Sequence, residues 1–131
     1  MGNSVQELGE IYRRAGKHAS IRFCIDTAHL MGAGIDFRDA SSLKSLKEEI
    51  EKEIGLKNVI LFHLNDSKVD LGEKKDRHEN IGDGFVGSKG FKALLRDSDF
   101  KNTHSVLEVP GLEGGGPDKA NIDRLKAICS Q

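Results

Sequence analysis

Residues 59–64 read VILFHL, a nearly unbroken apolar run that ends in a histidine and a leucine. A run this short with no polar alternation is the pattern of a strand buried on both faces, as in a parallel sheet covered by helices. Two flanking segments, IRFCID (21–26) and SVLEV (105–109), also read as strands. Helical spacing fills the gaps. Leu8, Ile11, Tyr12 and Ala15 recur along a first helix, which Asn3 or Ser4 can cap and Gly16 can stop. Leu43, Leu46, Ile50 and Ile54 line a second, opened by Ser41 or Ser42. Phe91, Leu94 and Leu95 mark a third that starts at Ser88, and Ile122, Leu125 and Ile128 a fourth capped by Asp118.

The predicted order is α-β-α-β-α-β-α, and strands alternating with helices imply a parallel α/β architecture. A barrel unit takes about 31 residues, and a complete (β/α)8 barrel roughly 250. With 131 residues the chain is too short for the whole. Three strand–helix units behind a helix that has no strand of its own fit the C-terminal half of a barrel. One domain, 1–131, is expected, and its sheet edges would be open to self-association.

Composition narrows the function. Lys and Arg number 20 against 21 Asp and Glu, so the chain does not hold nucleic acid by a basic surface alone. No apolar stretch approaches the roughly 18 residues of a membrane span, and the N-terminus MGNSVQELGE lacks a signal-peptide pattern. Two cysteines, Cys24 and Cys129, are too few for a disulfide framework, so a reducing, cytoplasmic setting is the expectation.

Each predicted strand ends in a metal-ligand type: Asp26, His63 and Glu108. Alone, Asp26 could cap a turn, His63 could be a core histidine and Glu108 a buried ion-pair partner. Together, at the strand ends that face a barrel's active site, they point to a metal centre. Two local pairs add to it. Asp26-Thr-Ala-His29 puts a carboxylate and an imidazole on the turn after the first strand. Asp76-Arg77-His78 alternates, so Asp and His can share a side. Such oxygen and nitrogen donors suit zinc, manganese or iron. The stretch 63–87 that carries the second pair is long for a βα connection, usually about 2–6 residues, and is rich in glycine.

Four segments, CIDTAHLMGAGID (24–36), HLNDSK (63–68), DRHENIGDGFVG (76–87) and LEVP (107–110), carry a resemblance to the endonuclease IV family. These are zinc-dependent apurinic/apyrimidinic endonucleases with a (β/α)8 barrel. The resemblance implies hydrolysis of the phosphodiester 5′ to an abasic site in double-stranded DNA, with up to three zinc ions. It implies that Asp26, His63 and Glu108 are catalytic residues that hold one zinc. His29, Asp76 and His78 match the ligands of another. The remaining zinc belongs to two histidines and a bridging glutamate of the first half of the barrel, which this chain lacks. Arg77 and Lys68 are candidate DNA-phosphate contacts, and the glycine-rich segments 82–87 and 114–116 could lie along the DNA backbone. Val109 stands where the family usually has Thr, and Ala28 where Cys is common. His18 and His104 match no motif and read as surface residues. Two other readings remain: a sugar isomerase or epimerase of the same superfamily with a single metal, and a non-catalytic fragment.

Overall fold

The structure, a computed structural model, describes residues 4–130. The candidate cap Asn3 lies outside the described residues. The cap observed is Ser4, whose hydroxyl accepts the Glu7 amide at the start of helix α1 (Val5–Arg14). Strand β1 (Phe23–Asp26) follows, then a short helix α2 (Thr27–Gly32), α3 (Ala40–Glu53), β2 (Val59–His63), a two-residue strand β3 (Asp66–Ser67) and its partner β4 (His78–Glu79). Helix α4 (Gly87–Leu95), β5 (His104–Val106) and α5 (Lys119–Ser130) complete the chain.

The three longer strands form one parallel sheet in the order β1-β2-β5. It is an open sheet, a portion of a barrel wall, with β1 and β5 at its edges. Its helix-covered face is apolar: Ile25 and Phe62 pair across β1 and β2, and Phe62 stacks edge-on against Phe100 at 5.1 Å. Leu46 and Ile50 of α3 and Phe91 and Leu94 of α4 close the same core. The other face carries Cys24 opposite Leu61 and Asp26 opposite His63, with Val106 beside His63.

Several boundaries differ from the sequence-based expectations. Asp39, not Ser41 or Ser42, caps α3; Ser42 is the third helical residue and completes a capping box. Helix α4 starts at Gly87, one residue before Ser88, and has no side-chain cap. The third strand stops at Val106, so Glu108 lies two residues past its end rather than on it. Asp26-Thr-Ala-His29 was expected on a turn but enters helix α2. At the foot of the sheet the register slips between Phe23 and Cys24. Val59 therefore packs into the core beside Phe23, while Ile60 has no partner opposite it and is exposed.

Candidate metal centre

The C-terminal ends of β1 and β2 place Asp26 and His63 side by side, His63 Nδ1 lying 3.7 Å from Asp26 Oδ2. Glu108 reaches the same point from the segment after β5, its Oε2 3.1 Å from His63 Nδ1. The β3–β4 ribbon then folds the long connection back over the strand ends. Ser67 pairs with His78 across it, and Lys68 donates its amide to the Arg77 carbonyl at 3.0 Å. This brings Asp76 and His78 over the sheet. His29 Nδ1 lies 3.5 Å from Asp76 Oδ2, and His78 Nε2 lies 3.3 Å from Asp76 Oδ1 and 3.7 Å from Asp26 Oδ2. All six residues singled out by sequence thus meet in one chain of contacts. The two expected sets, Asp26–His63–Glu108 and His29–Asp76–His78, abut through Asp26 and His78. One close group, Asp26, His78 and Glu108, offers donor atoms within 4.8 Å of one another.

Asp26 performs two jobs. Its Oδ1 accepts the His29 amide at 3.0 Å and caps α2, while Oδ2 faces the imidazoles. The cap reading holds for Oδ1, and Oδ2 is left free of that task to face the imidazoles. The cluster is graded in depth: the Asp26 side chain is 16% exposed, those of Glu108 and Asp76 48%. A ligand therefore approaches over Glu108 and Asp76, and Asp26 forms the floor.

The donor set fits a metal ion for a reason internal to the ring of His78. Its Nδ1 lies 3.2 Å from the Glu108 carbonyl oxygen. A carbonyl only accepts, so Nδ1 carries a proton, and Nε2 points inward. Nε2 is buried, has no hydrogen-bond partner among the described residues, and looks at two carboxylate oxygens. Facing two anions, Nε2 needs positive charge there, and a metal cation bound through its lone pair supplies it as a proton would. An imidazole tied to a backbone carbonyl through its far nitrogen is also how metal-bound histidines are commonly held.

Sequence reading missed the residues that hold this geometry. Asn65, fully buried, donates through Nδ2 to Asp26 Oδ2 at 3.0 Å and Glu108 Oε2 at 3.3 Å. Its Oδ1 accepts the Glu108 amide at 2.7 Å. Thr27, also buried, grips the Asn65 main chain: its Oγ1 accepts the Asn65 amide at 2.9 Å and donates to the Asn65 carbonyl at 2.7 Å. Asp66 accepts the amides of Ser67, Gly82, Gly84, Val86 and Gly87 at 2.8–3.3 Å. The available signal was the polar triplet Asn65-Asp66-Ser67 directly after an apolar strand, since buried polar groups need partners.

The glycine-rich segment is explained by Asp66. A Cβ on Gly84 would collide with the Ser67 carbonyl oxygen, so the chain can approach Asp66 only without a side chain there. The amides of Gly82, Gly84 and Gly87 point inward to a carboxylate and are not offered to an outside phosphate. Gly114 and Gly115 sit in an exposed turn. Arg77 and Lys68 are both exposed, and Lys68 borders a separate hollow with Glu79 and Asp83. Val109 and Ala28, the two departures from the family pattern, are buried core residues and contribute no donor atom. His18 and His104 are exposed as expected.

Substituting Leu for Asn65 keeps the shape and removes both donors. The two carboxylates then lose their shared tether, and zinc affinity should fall about 10–100-fold, the usual effect of losing an outer-shell partner. A competitive chelator titration of the folded variant measures it; unchanged affinity would show that Asn65 only packs.

An open parallel sheet with functional groups at the C-terminal strand ends defines a (β/α) barrel wall. Residues 1–128 match the family model described as xylose isomerase-like TIM barrel, and the chain belongs to that family. Within it, the chain resembles the endonucleases 4. It is 33% identical over 128 residues to the probable endonuclease 4 of Chloroflexus aggregans, covering 98% of this chain and 45% of that protein. With the probable endonuclease 4 of Aquifex aeolicus it shares 38% identity, over 98% of this chain and 44% of the relative. The crystal structure of endonuclease IV from Thermus thermophilus superimposes with a TM-score of 0.77 at 26% identity, covering 99% of this chain and 45% of that one. The chain thus spans a little under half the length of the relatives it matches.

Proposed function

We propose that this chain is the C-terminal half of a zinc-dependent endonuclease that cuts the DNA phosphodiester 5′ to an abasic site. The observation that carries the reading is the convergence of Asp26, His63, Glu108, His29, Asp76 and His78 at one end of a parallel sheet, with His78 Nε2 turned toward carboxylates. Asp26, His63 and Glu108 hold one metal in this reading, and His29, Asp76 and His78 another. A sugar isomerase with one metal has no need of the second group, and the ribbon that delivers Asp76 and His78 favours the nuclease.

Bound zinc supplies positive charge against the phosphate and makes a water nucleophilic near neutral pH. The chain's own residues do the positioning. Asn65 keeps the Asp26 and Glu108 carboxylates at a fixed separation, and the Glu108 carbonyl fixes the His78 tautomer. Arg77 and Lys68, exposed on the ribbon that roofs the cluster, are the proposed outer phosphate contacts. An abasic nucleotide suits such a recessed site because it has no base pair to break before it leaves the stack.

The assay is nicking of a duplex with one abasic site, with and without zinc. The chain alone should be very weak, because the bridging carboxylate and third ligand set of the family lie in the other half. Adding the first half of a relative's barrel should restore zinc-dependent nicking. Full-rate cleavage by the chain alone would refute the need for that half; no cleavage in any combination would refute the nuclease reading.

Cys24 and Val106 lie exposed on the face that a barrel would enclose, and Ile60 is exposed near the start of β2. With two open strand edges this surface promotes association. Sedimentation should show concentration-dependent oligomers that dissociate on addition of the complementary half. A strictly monomeric species at high concentration would contradict this.

A further inference from the structure

Residues 72–75 are fastened to the last turn of α2. Gly72 donates its amide to the Met31 carbonyl at 2.8 Å, and Lys74 donates to the Gly32 carbonyl at 2.9 Å. The approach is close enough that a Cβ on Gly32 would lie 2.6 Å from the Lys75 carbonyl oxygen. Lys74 is held at φ 59°, a left-handed conformation that lysine does not adopt freely. The backbone beneath Lys74 and Lys75 is therefore fixed, and both border a hollow of about 470 Å³ walled by His29 and Asp76 of the cluster.

Neither lysine has an ion-pair partner among the described residues, where the paired lysines are Lys47 and Lys119. Asp76, next in sequence, does not neutralise them, because its two oxygens face His29 and His78. Two uncompensated ammonium groups thus sit beside a hollow that shares a wall with the metal-ligand cluster. Lys68, by contrast, borders a hollow that contains Glu79 and Asp83.

We infer that Lys74 and Lys75 form a phosphodiester subsite that holds the nucleic-acid backbone one position away from the group lying over the cluster. Ammonium groups bind phosphate oxygens as point charges, without the fixed geometry a guanidinium imposes. A polyanion with regularly spaced phosphates can fill the hollow and the cluster together, which a single small anion cannot. The subsite rests on the nucleic-acid reading above and adds to it which cations grip the strand.

The test is fluorescence anisotropy of a labelled duplex with one tetrahydrofuran abasic analogue, over about 50–200 mM salt, the range in which phosphate contacts are resolved. It is run in chelator and again in saturating zinc. The variant is Lys74→Asn with Lys75→Gln, since Asn tolerates the left-handed backbone. A control variant, Lys44→Gln with Lys57→Gln, removes the same charge from exposed positions on α3 and the turn before β2. The slope of log affinity against log salt should become shallower by about 1–2 in the first variant, in both arms, and stay unchanged in the control. An unchanged slope in the first variant, with the wild-type chain binding DNA, overturns the subsite and leaves the nuclease reading standing. An equal change in both variants overturns it as a general charge effect. Absence of any binding by the wild-type chain overturns both.

Discussion

Replacing Asp66 by Ala is expected to cost the chain on the order of 3–5 kcal/mol. Asp66 is fully buried, and no basic side chain among the described residues pairs with it; its charge is held by five backbone amides from residues 67 to 87. Removing the carboxylate leaves those donors without an acceptor, the Ser67 and Val86 amides in the buried interior. A domain of this size is stable by about 5–15 kcal/mol, so this one change would consume much of the margin. Asp66→Asn is also expected to be poor, because its Nδ2 would face amide donors that need an acceptor. A damaged loop releases β3 from β4, so His78 would lose its place over Asp26. Urea unfolding measures the cost, with the midpoint falling and the slope unchanged. A loss below about 1 kcal/mol would mean that solvent already satisfies these amides.

The second large effect concerns Glu108. In the complemented nicking assay Glu108→Ala should lower the rate about 100-fold or more, since it removes a donor from the group Asp26–His78–Glu108 and the acceptor of Asn65 Nδ2. Arg77→Ala should leave the rate at saturating DNA nearly intact. It should weaken binding and make its salt dependence shallower by about 0.9, the signature of one phosphate contact. The two substitutions thus separate along different axes of one experiment. If Arg77→Ala lowers the saturated rate as much as Glu108→Ala does, Arg77 touches the reacting phosphate and its assignment as an outer contact is wrong.

The parallel sheet was legible because VILFHL is nearly unbroken apolar, IRFCID carries Ile, Phe, Cys and Ile, and helices at regular spacing separated them; the burial on both faces that VILFHL suggests is met on the helix-covered face only, with Ile60 and Cys24 exposed. Asp26, His63, Asp76 and His78 were legible because strand ends and an alternating Asp-Arg-His triplet are positions where side-chain direction follows from backbone period, while His29 was legible by its spacing from Asp26 and Glu108 by the apolar run before it. What sequence did not reveal depends on contacts between distant residues. Helix α2 has only six residues, TAHLMG, too few for a helical period to declare itself. The β3–β4 ribbon pairs two residues with two, across a connection whose letters are mostly polar. Its existence follows from Asp66 gathering amides and not from any local propensity. Val59 is buried and Ile60 exposed because one slipped register at Phe23 leaves Ile60 unpaired. Asn65 is the clearest loss: HLNDSK was singled out as a segment, yet the role of its asparagine is visible only once Asp26 and Glu108 are seen on either side of it.

The six cluster side chains are expected to hold metal, and the test is zinc titration of the metal-free chain against a competing chromophoric chelator. Zinc coordination needs three or four donors drawn from different segments, so binding should be tight, saturable and coupled to stability. At a free zinc concentration about 100 times the dissociation constant, the chain should gain about 2.7 kcal/mol against unfolding. One to two zinc ions should bind per chain, and the double variant Asp26→Asn, His78→Ala should lose tight uptake. Wild-type chain that takes up no zinc in competition with the chelator, or a double variant that takes up as much as the wild type, would contradict it.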